Sequence, residues 1–110
     1  MGTKYKEMVK AATLTASAVS YYAAPLLTFG SIHAASANNP TGAAVTINVY
    51  KVPSGTTADG TTKIASKTIS AGKTGSLTDL INHKLEPGTQ LFADGAGCSL
   101  NISGIEYTPE

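Results

Sequence analysis

Apolar and polar residues alternate with a period of two along most of this chain, most cleanly between Ala43 and Val52. There Val45, Ile47 and Val49 point one way and Thr46, Asn48 and Tyr50 the other, the signature of a half-buried β-strand. Turn chemistry bounds the strand, with Asn38-Asn39-Pro40-Thr41-Gly42 before it and Val52-Pro53-Ser54-Gly55 after it. Comparable alternation predicts a strand from Ala11 to Ala23, ended by Pro25, and a second over residues 26–36 with Gly30 as a bulge. Further strands are expected over Lys63–Ser70, from Leu91 to Ala93 and from Cys98 to Tyr107. In the last of these, Leu100 and Ile102 share a face while Ile105 and Tyr107 are out of phase, and a bulge at Gly104 reconciles the two sets.

The connections are equally legible. Residues 54–61 form a polar loop with an Asp-Gly turn, and Ala71-Gly72-Lys73 turns the chain. Ser76-Leu77-Thr78-Asp79 has capping-box spacing and predicts one short helical turn. Glu86-Pro87-Gly88-Thr89 places Pro and Gly where a type II turn wants them. Residues 1–10, MGTKYKEMVK, are polar and charged and predict an N-terminal arm, with Tyr5, Met8 and Val9 as its anchors. Residues 11–110 then form one domain, which stays folded when residues 1–9 are removed. About seven short, turn-bounded strands with one helical turn are the pattern of an all-β sandwich or small barrel. The expectation is a small antiparallel β-sandwich.

Composition sharpens this. A mass of 11.2 kDa corresponds to one core under roughly 5,700 Å² of surface. With no Trp and two Phe, that core rests on small and β-branched residues. Eight lysines face seven acids, and no arginine occurs, which disfavours specific nucleic-acid binding. Lys4, Lys6, Lys10 and Lys51 read as solvated surface. Cys98, the single cysteine, shares a face with Leu100 and Ile102 and reads as a buried small hydrophobe, which fits folding in a reducing compartment. Lysines before an apolar stretch mimic a secretion signal near the N-terminus. Thr13, Thr15, Ser17, Ser20 and Pro25 interrupt that stretch, so it reads as strand. No apolar run reaches bilayer-spanning length.

Candidate chemistry is sparse. His33 and His83 have no second ligand at metal spacing. Asp59 and Asp94 precede turn glycines, and Asp79 belongs to the capping pattern. Gly72-Lys73-Thr74 imitates the end of a phosphate loop, but Lys67 stands where the first glycine is required. Asn101-Ile102-Ser103 matches a glycosylation acceptor by chance in mid-strand. No catalytic residue, cofactor or metal is expected. Tyr5, Tyr21, Tyr22, Tyr50 and Tyr107 either cover sheet edges and subunit contacts or line a sugar-binding face.

Across residues 5–108, the segments TLTASAVSYYAAP, IHAASANNPTGAAVTINVYKVPSG, LINHKLEPGTQLFA and SLNISGIEYT resemble small structural proteins of tailed bacteriophages. The most specific pieces are the turns at 39–42, 52–55 and 85–88. The resemblance implies a jelly-roll-like sandwich acting as a capsid decoration (cement) protein on the virion surface. Such a protein clamps adjacent copies of the major capsid protein, as a dimer or trimer, through Tyr5, Met8, Val9, Tyr21 and Tyr22. A neck, tail or fibre component and a host-glycan-binding module are the alternatives.

Overall fold

The computed structural model describes residues 2–109. Its elements in chain order are β1 (Gly2–Thr13), β2 (Val19–Ala23), β3 (Phe29–Asn38), β4 (Val45–Val52), β5 (Lys63–Ile69), β6 (Thr74–Ser76), a 3-10 turn (Thr78–Leu80), β7 (Lys84–Leu85), β8 (Gln90–Asp94) and β9 (Ser99–Thr108). One antiparallel sheet has the order β1-β9-β3-β6, with β7 also paired to β3; the other has the order β2-β8-β4-β5. Because β6 and β7 both border β3 and flank the 3-10 turn, they are two pieces of one interrupted edge strand. Among the described residues the expected seven strands are thus nine segments, eight with β6 and β7 taken as one, and the interleaved order is that of a jelly roll with its two Greek keys.

The core lies between the sheets. Val49 and Ile47 of β4, Leu91 and Ala93 of β8, Ile32 and Ala37 of β3, and Leu100 and Ile102 of β9 are all buried. As the alternation requires, Thr46, Asn48 and Tyr50 turn outward from β4. Leu14, Leu77, Leu80, Leu85 and Cys98 close the ends of the core.

Asn39 ties the strand crossing together. It is fully buried, and its amide donates to the carbonyls of Ala43 and Ile69 at 2.8 Å each. Its side-chain oxygen accepts from the Thr41 backbone N–H at 3.0 Å and from the Thr41 hydroxyl at 2.6 Å. The Asn-Pro-Thr-Gly turn thus joins β3 to β4 and pins the end of β5.

Four sequence expectations are corrected. Residues 2–10 are not an arm ahead of a domain; they belong to β1, hydrogen-bonded along β9, and Met8 and Val9 are in the core. Residue 1 of that arm, and residue 110 of the domain, lie outside the described residues. The strand expected over 11–23 is two strands in different sheets. The chain bends between them, where the Thr15 hydroxyl donates to the Ser17 carbonyl and the Leu14 N–H donates to the Cys98 carbonyl. The capping box is not made: Ser76 is in β6, and Leu77 precedes the 3-10 turn without a side-chain cap.

Finally, β9 keeps its phase. Leu100, Ile102, Gly104 and Glu106 all face inward, and the register shifts fall in the partner strands, at Met8 and at Lys10-Ala11 of β1 and at His33 of β3. Gly104 is required by close approach, since a Cβ there would lie 2.0 Å from the Ser31 carbonyl oxygen.

Candidate interaction site at the open edge of the sandwich

Strands β1 and β2 are the outermost strands of their sheets on the same side of the sandwich. Between them runs an open groove lined by Lys4, Lys6, Met8 and Lys10 of β1, Tyr21 and Tyr22 of β2, and Glu106 of β9. Lys4 and Lys6 reach it because they stand opposite Glu106 and Gly104, the inward-facing positions of β9.

Glu106 forms the floor. Only 3% of it is exposed, and its Oε2 accepts the Tyr22 hydroxyl proton at 2.5 Å while Lys4 Nζ lies 3.7 Å from Oε1. A buried carboxylate needs such partners. Burial first, and the neighbouring carboxylate second, hold the Tyr22 phenol well above its ordinary pKa. The groove therefore carries three lysines and the carboxylate of Glu7 along its rim, with a neutral phenol and a paired carboxylate beneath.

Of the residues singled out from sequence, Met8, Val9, Tyr21 and Tyr22 come together around this groove. Met8 and Val9 are buried, so they form its wall and cannot act as free anchors. Tyr5 is not part of it: it stands opposite Ile105 on the outer face of the same sheet and is 88% exposed. The four lysines read as solvated surface do not all share this groove. Lys51 lies apart, with Nζ 3.3 Å from Nδ1 of His83. Burial of that imidazole, and then the Lys51 charge, lower its pKa.

The tyrosines occupy separate surfaces. Tyr50 donates to Asp94 at 2.9 Å on the outside of the second sheet, where Asn48 also donates to Asp94 at 2.9 Å. Burial and the Asp94 carboxylate raise the Tyr50 pKa. Tyr107 accompanies Tyr5 on the outer face of the first sheet.

Glu106, the floor of this groove, is not among the residues singled out from sequence. Its signal was present, because position 106 continues the inward series 100, 102, 104. Gly72-Lys73-Thr74 is a turn, with Gly72 at φ 72° donating to the Asn39 carbonyl. Asn101 spends its side-chain oxygen on the Ala11 N–H at 2.8 Å. Among the described residues, no three His, Cys, Asp or Glu side chains converge to hold a metal ion, and no helix is long and apolar enough to cross a membrane.

The arrangement is suited to binding along its length. β1 pairs with β9 on one side only, so its other side presents backbone N–H and C=O groups to an added strand. Lysines on such an edge discourage pairing with like-charged copies of itself and favour a segment carrying carboxylates.

The topology and this surface define a small jelly-roll β-sandwich with an open, lysine-rimmed edge. No protein-family model matches the chain, and no curated protein matches it in sequence. Among solved structures, it is similar to a protein of Bacillus endospore appendages, described as a novel family of disulfide-linked pili. The TM-score is 0.56 at 14% identity, over 98% of this chain and 89% of that one. At that identity the likeness is one of fold. Cys98 is fully buried, so the folded surface of this chain offers no thiol for a comparable linkage.

Proposed function

We propose that this chain is a non-enzymatic structural protein that works by its surface, attaching to a repetitive assembly through the β1 edge. The observation that carries this reading is the juxtaposition of the unpaired side of β1 with the groove holding Lys4, Lys6 and Lys10. In its specific form the assembly is a phage head, and the chain is a decoration protein. An acidic extended segment of the major capsid protein adds as a strand beside β1, its carboxylates meeting the lysines. Repetition over a symmetric shell then supplies retention by avidity.

A second reading is favoured by the fold likeness to an endospore appendage protein: a subunit of a filamentous surface assembly, held here by noncovalent contacts.

Quantitative mass spectrometry of purified particles tests the first reading. Copies on the order of hundreds per particle, in proportion to the major capsid protein, are expected for decoration. About a dozen moves the chain to the neck or tail, and none removes it from the virion. The double reversal Lys4→Glu, Lys6→Glu is expected to weaken attachment at least tenfold and to reduce its salt dependence.

A further inference from the structure

A different surface, the outer face of the β1-β9-β3 sheet, has an unusual division. At one end, cross-strand register places Tyr107 beside Phe29, and Tyr5 beside Ile105. At this same end of the sheet lies the turn entering β3, which carries Leu26 and Leu27 and is tied to the end of β9 by the Thr28 and Thr108 hydroxyls at 3.0 Å. Leu26 is 84% exposed, Leu27 76%, and Phe29 and Tyr107 44% each. Toward the other end the same face carries mostly small side chains, Ala34, Ser36, Asn101 and Ser103, which line a shallow depression bordered by Glu7 and Ile81.

With Tyr5, those exposed side chains present on the order of 600 Å². That is at or above the roughly 300–600 Å² of the largest patch on an ordinary monomer. Burying one such patch from each of two copies reaches the lower end of specific interfaces, which bury about 1,200 Å² in total.

Leu27 adds an independent argument. Its φ is 62°, a left-handed conformation that disfavours a branched aliphatic side chain and favours Gly or Asn. No core contact rewards this leucine, since its side chain points into solvent. Its backbone strain and exposure are both accounted for if the side chain is covered by another molecule.

We infer that this face is the contact between two copies of the chain, packed antiparallel so that the bulky end of each lies on the small-residue end of the other. The self-complementary shape is what a two-fold interface requires. Three of the four charged side chains of β1 between residues 4 and 10, Lys4, Lys6 and Lys10, line the groove instead, while Glu7 borders the depression and Lys84 of β7 stands beside Ser31 at the margin of this face, its Nζ 3.0 Å from Ser31 Oγ. The inference is independent of the attachment edge proposed above.

The test is sedimentation equilibrium of the full chain from low micromolar to millimolar concentration, beside the variant Leu26→Ser, Leu27→Asn. A concentration-dependent dimer is expected for the parent and at least roughly thirtyfold weaker association for the variant. Asn suits positive φ, so the variant should melt no lower than the parent at a concentration where both are monomeric. Tyr5→Ser, on β1 and remote from that turn, is expected to weaken the dimer independently. A parent that stays monomeric throughout overturns the inference, as does a dimer that both variants leave intact. Capture of a different partner by a monomeric parent also overturns it.

Discussion

Tyr22 of one sheet donates its hydroxyl to Glu106 of the other, so the two layers of the sandwich are joined by a hydrogen bond at a site otherwise shared by Met8 and Lys4. Tyr22→Phe leaves the buried carboxylate short of a donor and is expected to cost about 1–3 kcal/mol in urea denaturation. Glu106→Gln keeps an oxygen for the phenol and should cost less.

The same pair sets an alkaline limit. The Tyr22 pKa is raised in the folded state, from the 10.0 of an ordinary tyrosine. Its contribution is complete below pH 10. Above pH 10 the unfolded chain releases a proton that the folded chain keeps, so stability falls. Thermal melts from pH 8 to 11 should show a decline that is shallower in Tyr22→Phe.

Removing residues 1–9 takes away Met8 and Val9 and exposes the inner strand β9. A loss of at least about 4 kcal/mol is expected from two buried side chains, a large share of a domain's stability. Circular dichroism should report a largely unfolded or aggregated chain. Removing residues 1–6 instead takes away the exposed side chains of residues 3–6, and that variant should fold while losing Lys4 and Lys6 from the groove.

Gly104→Ala forces a Cβ against the Ser31 carbonyl at the point where β9 lies beside β3. A cost of about 3 kcal/mol or more is expected. At Gly42 an added Cβ meets nothing within 4 Å, and Gly42→Ala should stay within about 0.5 kcal/mol. Chemical denaturation of the two variants separates close backbone approach from a general intolerance of glycine replacement.

His83 titrates below the 6.5 of an ordinary histidine, through burial and then Lys51. Its stabilising effect is complete above pH 6.5. As pH falls below that value the unfolded chain takes up a proton that the folded chain refuses, and stability declines until the folded value is reached. In an NMR titration, Lys51→Met should move the His83 midpoint part of the way back toward 6.5, burial accounting for the remainder.

The residues that sequence reading placed best are those with a layer of protein on one face and water on the other. Val45–Val52 is such a strand, and its inward and outward sets came out as written. Gly88, at φ 86°, closes the expected turn with Thr89 N–H donating to the Glu86 carbonyl at 3.0 Å. Gly2–Glu7 defeated the pattern because nearly every side chain there is exposed. Backbone pairing to a distant strand defines the element, and that leaves no period in the hydropathy. Ser76–Asp79 misled for another reason: its polar spacing suits a cap, but β3 competes for Ser76 and wins through ladder pairing with Ser36. Burial was foreseeable for Cys98 in the core; at the groove the inward period reached position 106, yet its partner Tyr22, coming from the other sheet, left no mark in the sequence around Glu106.

The fully buried Cys98 has a consequence for how any assembly of this chain behaves over time. Burial also raises the thiol's pKa, so the folded subunit presents neither a reachable sulfur nor an appreciable thiolate. In the assemblies proposed above, contacts through this folded surface would be governed by mass action. Dilution loosens them, concentration restores them, and oxidant or reductant changes neither, so a shell or filament built from this chain can exchange and replace its parts.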